Sequence, residues 1–142
     1  MEPLAPHIEQ RILESFGRQR LMSAYGAAIT TMAKGYIELT VLPQDFLLRT
    51  NGLFHGGVIT ALADSAAGYA AGTLHETDIS FLTVELKINF LNPAKGDRLL
   101  TRAKVLKGGK TLTIVQTDSF IENTETLRHV AIALLTFIKE KR

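Results

Sequence analysis

One carboxylate, Asp64, occupies a position where a charge is unexpected. It lies in the middle of residues 56–72, six of which are alanine and most of the others apolar or glycine. Alanine is the strongest helix former, and a helix that is apolar on nearly all sides is typical of a buried one. A carboxylate there is costly without a partner. Asp64 is therefore a candidate base or nucleophile, and a structural hydrogen bond or ion pair is the alternative interpretation.

A glycine-rich segment, residues 51–57, leads into the N-terminus of this predicted helix. The first turn of a helix has free N–H groups and a partial positive charge. Two adjacent glycines, Gly56 and Gly57, would let a ligand approach the backbone closely. Such N–H groups can stabilise a developing oxyanion, as acyl transfer requires. The alternative is that the glycines only turn the chain.

The spacing of these residues constrains any site built from both of them. Gly56 and Asp64 are eight residues apart, which is about 12 Å along a helix. One substrate carbonyl cannot contact both on the same helix. A second copy, with its helix antiparallel to the first, could supply the missing half, and the small side chains would allow that approach. We therefore hypothesise a composite site in an oligomer that is at least a dimer.

The rest of the chain predicts the elements that must position these residues. A turn at Lys34-Gly35 is expected to divide the extended residues 27–42, and Gly72 is expected to cap the helix at its C-terminus. Helical spacing predicts a first helix from Leu4 to Phe16 with Pro3 at its start. Four strand-like runs follow, at residues 82–90, 98–107, 110–121 and 126–138. The whole is a predicted α+β domain over residues 1–142, with an antiparallel sheet curled around one long helix.

Turns separate the four strand-like runs. Residues 92–97 and 122–125 have turn composition, and Gly108-Gly109 suits a tight hairpin. In the first run, apolar residues at the even positions from 82 to 90 alternate strictly with polar ones, Thr83 among them. This pattern predicts a strand with one buried apolar face and with Thr83 on the opposite face.

Composition excludes several classes of protein. The 142 residues contain no cysteine, so disulfides, zinc–thiolate sites and cysteine nucleophiles are excluded. The net charge of +2 does not indicate a nucleic-acid partner. There is no apolar run of about 18 residues and no basic flank followed by an apolar stretch at the N-terminus, so we expect neither a membrane span nor a signal peptide, and a cytoplasmic location.

The motif residues resemble a known family. His55-Gly56-Gly57, with Asp64 nine residues after the histidine, is similar to the motif of hotdog-fold acyl-CoA thioesterases of the phenylacetate-degradation (PaaI-like) group. The run from Thr83 to Asn89, followed by Pro93-Ala-Lys-Gly-Asp97, resembles the strand and turn that come next in that family. The resemblance extends from about residue 27 to the end of the chain and implies a hotdog fold, in which the sheet wraps around the long helix.

The resemblance also implies roles in the hydrolysis of an acyl-CoA thioester. The Gly56 N–H would polarise the carbonyl, and Asp64 of the facing subunit would activate water or attack directly. The Thr83 hydroxyl would place the water, while His55 would orient the loop or the substrate rather than act as a base. A helix-capping role is the alternative for His55. Gly57 and Asn51 complete the expected substrate-binding residues.

One position departs from the family pattern. Many relatives have Asn or Gln six residues before the histidine, whereas this chain has Arg49 there and its nearest amide is Asn51. For the CoA phosphates, the lysines that flank turns are candidates, although each is also an ordinary surface residue: Lys95, Lys107 and Lys110. We expect no cofactor apart from the CoA of the substrate, and no metal site, because the histidines lack ligand-like spacing.

Two other functions remain open from the sequence. A hotdog hydratase or dehydratase would act on the carbon chain of an acyl thioester, and a binding module would hold acyl-CoA without turnover. The acyl group could be phenylacetyl, hydroxybenzoyl or medium-chain, and the residues that could line its pocket are Leu53, Phe54, Tyr69, Phe81 and Leu82. Family analogy favours a homotetramer built as a dimer of dimers.

Overall fold

A six-stranded antiparallel sheet wraps around one long helix, as the sequence predicts, in the computed structural model, which describes residues 1–140. Positions 141 and 142 of the predicted domain lie outside the described residues. The helices are α1 (Pro6–Gly17), α2 (Arg20–Tyr25) and α3 (Gly56–Gly72), with a 3₁₀ turn at Asp45–Leu47. The strands are β1 (Ala28–Ala33), β2 (Tyr36–Val41), β3 (Phe81–Phe90), β4 (Arg98–Gly108), β5 (Leu112–Asn123) and β6 (Thr126–Lys139). Their order in the sheet is β1-β2-β4-β5-β6-β3.

The core forms where α3 packs on the inner side of the sheet. Leu62 and Ala66 of α3 are fully buried, as are Leu39, Val115 and Leu135 of the strands. Each fully buried Leu or Val side chain contributes roughly 1.5–3 kcal/mol relative to an exposed one. The small alanines of α3 let the sheet approach the helix closely, so this packing fixes the position of α3 and of every residue that it carries.

The predicted burial of α3 on nearly all sides is wrong. One side of the helix is only half-buried, and it carries Asp64, Ser65, Gly68 and Tyr69. The sequence did not predict this half-buried side, because alanine and glycine occur on both faces of the helix. Asp64 therefore does not have to be accommodated inside the apolar core.

The ends of α3 are set by its neighbours. The predicted span of residues 56–72 is confirmed, but Gly72 is not the cap. Thr73 occupies that position in a right-handed conformation, where its Oγ1 donates to the Ala70 carbonyl at 2.6 Å and accepts from the Gly35 N–H at 2.7 Å. A side chain therefore links the end of α3 to the β1–β2 turn, so that no left-handed glycine is needed.

The N-terminal helix begins later than predicted. Pro6, not Pro3, takes the first helical position, where its missing N–H has no cost. α2 was not predicted, because a helix of six residues with two buried side chains, Met22 and Tyr25, is too short to show a period. It ends at Gly26, whose φ of 68° is the left-handed conformation that glycine tolerates.

The two C-terminal hairpins differ slightly from their predicted turns. β4 includes Gly108, and β5 begins only at Leu112, so the turn is longer than the dipeptide Gly108-Gly109. At the other hairpin the strands continue to Asn123, leaving only residues 124–125 as the turn. Glu122 remains in the ladder opposite Arg98, whose Nε donates to it at 3.0 Å. This cross-strand ion pair keeps Glu122, which composition alone assigns to a turn, in the strand.

β3 departs from the predicted alternation at Val84. Thr83 is opposite Phe137 and Glu85 is opposite Thr136, so β3 contains one extra residue at this point. Directly opposed residues on antiparallel strands have their side chains on the same face. Because Phe137 faces the core, the bulge places Thr83 on the helix-facing side, with Leu86 and its alternate neighbours. The prediction that Thr83 lies on the opposite face is therefore wrong.

The predicted burial of the apolar side of β3 is also wrong within one chain. Leu82, Val84 and Phe90 are 50%, 56% and 53% exposed. β3 is an edge strand that pairs with β6 on one side and has no partner strand on the other among the described residues. A free strand edge of ten residues with exposed apolar side chains is a surface on which another strand can pair.

No helix within residues 1–140 combines the length and the apolar character that crossing a membrane requires.

Candidate active site

Asp64 and Thr83 form a hydrogen-bonded pair on the half-exposed side of α3. The Thr83 hydroxyl donates to Asp64 Oδ1 at 2.7 Å. The helix positions Asp64, and the bulge at Val84 turns Thr83 towards it. Among residues 1–140, no group donates to the second oxygen, Oδ2. The pair therefore presents a carboxylate held by one oxygen and open at the other, which suits a base or a nucleophile.

A cleft of about 390 Å³ opens beside this pair. It lies between α1, the half-exposed side of α3 and residues 78–83. Phe81 and Phe137 form an apolar part of its wall, with their ring centroids 6.3 Å apart. A mostly pre-formed concave site with a few convergent polar groups is the usual setting for a small-molecule ligand.

The far wall of the cleft is formed by α1. Arg11 donates to the carbonyls of Gly72 and His75 at 2.8 and 3.0 Å. Ser15 lies 3.1 Å from the Tyr69 hydroxyl. These hydrogen bonds hold α1 against the C-terminal half of α3, where carbonyl groups without helical partners favour a cation.

This wall was missed by the sequence analysis. Arg11 and Ser15 are four residues apart in α1 and lie beside Ile12 in the cleft. The sequence signal for this wall was a pair of polar residues at helical spacing, next to the buried residues of α1. Of the predicted acyl-pocket residues, Tyr69 and Phe81 line the cleft.

The other predicted acyl-pocket residues lie elsewhere. Phe54 is buried in the core. Leu82 is opposite Ile138 on the outer side of the sheet. Leu53 belongs to the loop before α3 and does not line the cleft.

His75 lies just beyond the C-terminus of α3, near the same wall. Burial lowers the pKa of its imidazole below the ordinary value, and the positive charges of Lys139 and Arg11 lower it further. Its ring packs near Phe81, with centroids 5.5 Å apart. His75 is therefore held as a neutral side chain and does not supply positive charge to the cleft at neutral pH.

The N-terminus of α3 has the free N–H groups that the sequence predicts. Gly56 and Gly57 donate to no acceptor within residues 1–140. A Cβ on Gly56 would lie 3.1 Å from the Phe90 ring, and one on Gly57 would meet open space. His55 occupies the N-cap position, but its side chain makes no capping hydrogen bond and is exposed. The capping alternative for the His55 side chain is therefore not supported.

The structure keeps this N-terminus apart from the Asp64–Thr83 pair. Gly56 and Asp64 lie on one continuous helix, eight residues or about 12 Å apart. Asn51 lies in the loop before α3, where its Oδ1 accepts from the Leu53 N–H at 3.2 Å. Its side chain thus stabilises an exposed turn within the predicted substrate-binding segment.

The three candidate lysines do not form one cluster in the chain. A Cβ on Gly52 would lie 3.2 Å from the Lys95 side chain, so Lys95 is beside the loop that precedes α3. Lys107 and Lys110 flank the β4–β5 turn, where Gly108 packs on Leu74 beyond the other end of α3. The length of α3, 17 residues or about 24 Å, separates the two positions. Within residues 1–140 no three His, Asp or Glu side chains are arranged to hold a metal ion.

Comparison with known proteins places this geometry in context. Residues 51–127 match the thioesterase superfamily. The chain is 25% identical over 130 residues to the medium/long-chain acyl-CoA thioesterase YigI of Escherichia coli K12, covering 81% of this chain and 82% of that protein.

Solved structures give the same result. A thioesterase family protein from Silicibacter pomeroyi is 38% identical, with a TM-score of 0.89 over 93% of this chain and 97% of that one. The PaaI protein of the E. coli phenylacetic acid degradation operon is 22% identical, with a TM-score of 0.85 over 97% of this chain and 96% of that one. The hotdog fold that the motif predicts is confirmed.

Proposed function

The chain belongs to the thioesterase superfamily, and from this premise we propose that it hydrolyses acyl-CoA thioesters of aryl or medium-chain acids to the free acid and CoA. The observation that carries the proposal is the hydrogen-bonded pair of Asp64 and Thr83 beside a cleft. The name of the YigI relative, a medium/long-chain acyl-CoA thioesterase, supports the same class of substrate.

In the proposed reaction, Asp64 works through its open oxygen. As a base, it takes a proton from water while the water oxygen bonds to the thioester carbon. The carbonyl oxygen becomes an oxyanion, which the Gly56 N–H stabilises, and the C–S bond then breaks as the CoA sulfur receives the proton. As a nucleophile, Asp64 would instead form a mixed anhydride that water hydrolyses. In both routes Thr83 holds Oδ1 and so directs Oδ2 towards the reacting atoms.

The Gly56 N–H in this reaction has to come from a second copy of the chain. The 12 Å between Gly56 and Asp64 on one helix excludes a shared carbonyl within one copy. The free edge of β3, with half-exposed Leu82, Val84 and Phe90, offers a surface for pairing with the β3 of another copy. Such a two-fold pairing would set the two α3 helices antiparallel. We therefore propose a homo-oligomer, as a dimer or a homotetramer made of two dimers, with active sites between subunits.

The loop before α3 supplies the remaining proposed contacts. His55 is exposed next to the free N–H groups and is placed to orient the substrate, with Gly57 leaving space for it. Asn51 shapes this loop, and Lys95 beside it is the candidate for a CoA phosphate. Lys107 and Lys110 could join the same site only from another subunit.

The direct test is thiol release from a panel of aryl and aliphatic acyl-CoAs, followed with a thiol-reactive dye. The protein contains no cysteine, so it contributes no background. Asp64→Asn retains the shape of the side chain and its acceptor for Thr83. We expect this variant to lose about 10²–10⁴-fold in kcat, the usual contribution of a general base. Asp45→Asn, at an exposed carboxylate in the 3₁₀ turn, is the matched control and should keep wild-type activity.

Other outcomes identify the alternatives. Hydration of an enoyl-CoA without thiol release would favour the hydratase or dehydratase function. Tight acyl-CoA binding without turnover would favour the binding module. Undiminished thiol release by Asp64→Asn would assign Asp64 a structural role.

A further inference from the structure

A glycine interrupts the side of α3 that lines the cleft. Asp64, Gly68 and Gly72 follow one another at intervals of four residues, so they lie along one face of the helix, and all three border the cleft. Glycine inside a helix is less favourable than any residue except proline. Gly68 is well inside α3, four residues from its end, so the requirements of a helix terminus do not explain it.

Packing within one chain does not explain Gly68 either. A Cβ there would meet only Phe137, at 3.7 Å, which is an ordinary van der Waals contact. Other glycines of the chain are different: a Cβ on Gly96 would lie 2.3 Å from Ile121, and one on Gly109 would lie 2.6 Å from the backbone carbonyl oxygen of Leu112. The fold therefore requires glycine at positions 96 and 109 but would accept alanine at 68. A side chain at position 68 would therefore occupy space in the cleft.

We propose that Gly68 is a specificity-determining residue that keeps the acyl channel open. This inference rests on the proposed thioesterase function and adds the path of the acyl group. From the reacting carbonyl at Asp64 and Thr83, the acyl group extends over the bare backbone of α3 at Gly68, with α1 as the opposite wall. Phe81 and Phe137 flank this path and provide apolar contact.

The dimensions of the channel identify the class of acyl group. From Asp64 to Gly72 the helix rises about 12 Å. A fully extended chain advances about 1.2 Å per bond, as a polypeptide backbone does over its three bonds per residue. The distance from Asp64 to Gly72 therefore matches the length of about ten bonds of an unbranched acyl chain, and it exceeds that of a single aryl ring on a short linker.

The test is a change of side-chain size at position 68 alone. Gly68→Ala adds one methyl group and Gly68→Leu adds three further carbon atoms. The specificity constant kcat/KM of each variant is measured by thiol release for acetyl-, hexanoyl-, decanoyl- and phenylacetyl-CoA. Gly17→Ala is the matched control, because it makes the same chemical change at the end of α1, where a Cβ would meet open space.

The expected result is a change of preference, not of chemistry. Gly68→Ala should keep its activity on acetyl-CoA within about twofold and lose tenfold or more on decanoyl-CoA, since one methylene in a hydrophobic pocket discriminates by about 10–200-fold. Gly68→Leu should extend the loss to hexanoyl- and phenylacetyl-CoA. The melting temperature of Gly68→Ala should equal or exceed that of the wild type, because alanine is the better helix former.

The outcomes separate this inference from the function on which it rests. Wild-type activity with an unchanged acyl ranking in folded Gly68→Ala would overturn the inference and leave the thioesterase function standing. An equal loss on all four substrates would also overturn it, because Gly68 would then act on the reaction and not on the acyl group. Absence of hydrolysis by the wild type would overturn both. If Gly68→Leu does not fold, Gly68→Ala decides the question.

Discussion

At the scale of the residue, two side chains carry the proposed chemistry, and the sequence revealed them unequally. Asp64 was identifiable because a carboxylate within an alanine-rich helix is costly without a role. Thr83 was identified only through the family resemblance. Its placement opposite Asp64 depends on the bulge at Val84, and a valine at that position fits regular alternation equally well. Alternation in a sequence therefore cannot reveal the bulge that aims this hydroxyl.

The Thr83 hydroxyl is expected to be required for activity. Thr83→Val retains the shape of the side chain but removes the hydrogen bond to Asp64, and we expect kcat to fall by about 10–100-fold, the effect of losing one hydrogen bond to a charged group. Thr83→Ser retains the hydroxyl and should recover most of the rate. Thr77→Val, at an exposed threonine before β3, serves as the control. Full activity in Thr83→Val would show that the hydrogen bond only stabilises the structure.

At the scale of the element, α3 was predictable over its whole length because six of its seventeen residues are alanine, the strongest helix former. Its surroundings were less so. The carbonyls of Gly72 and His75 accept hydrogen bonds from Arg11 of α1. Arg11 precedes these two residues by 61 and 64 positions in the sequence. No local pattern encodes such a contact. The cleft wall formed by α1 was missed for the same reason, since it arises from tertiary packing.

The end of α3 is expected to make stability depend on pH through His75. Burial, Lys139 and Arg11 lower the pKa of His75 in the folded chain below the ordinary 6.5. As the pH falls through 6.5, the unfolded chain therefore binds a proton before the folded chain does, and the folded state loses stability. His75→Gln has no imidazole and cannot bind this proton. The free energy of unfolding of wild type minus that of His75→Gln should decrease between about pH 7.5 and pH 5.5.

Chemical denaturation of both proteins at several pH values measures this difference. The carboxylates titrate equally in the two proteins and cancel in the comparison. A difference that is constant with pH, or that grows as the pH falls, would contradict the assignment to His75.

At the scale of the whole molecule, an antiparallel sheet curled around one long helix was predictable from the order of elements, and the hotdog fold implied by the family resemblance is confirmed. The oligomer inferred from the sequence stays a prediction. The sequence predicted a buried apolar face on β3, and one chain leaves Leu82, Val84 and Phe90 half-exposed. The alternation correctly marked these residues as apolar. It could not indicate whether a second chain has to cover them, because hydrophobic periodicity is the same for a core and for an interface.

Mixed oligomers test whether two subunits share each site. Gly56→Pro removes the N–H that is the proposed oxyanion donor. The first position of a helix tolerates proline, and His55 already has the extended backbone that a residue before proline adopts. Gly56→Pro and Asp64→Ala should each have little activity alone. In mixed dimers, one of the two sites would combine an intact Gly56 with an intact Asp64. A random mixture should therefore regain about a quarter of wild-type activity, since half of the dimers are mixed.

Gly56→Pro requires the exposed Phe90 ring to move slightly, so circular dichroism of each variant is the control for folding. No recovery on mixing, with both variants folded and oligomeric, would place each active site within a single chain. A fully active monomer would lead to the same conclusion.

The bulge in β3 has a consequence for how related genes are compared. Thr83 is opposite Phe137 only because Val84 is left out of the ladder. A relative that lacks the codon for this valine would place its threonine opposite the same partner on a regular strand. Such a pair of genes would differ by a one-codon gap beside the threonine and still encode the same contact with the aspartate. Homologous positions in this strand are therefore better matched by the residue they face across the ladder than by their count along the chain.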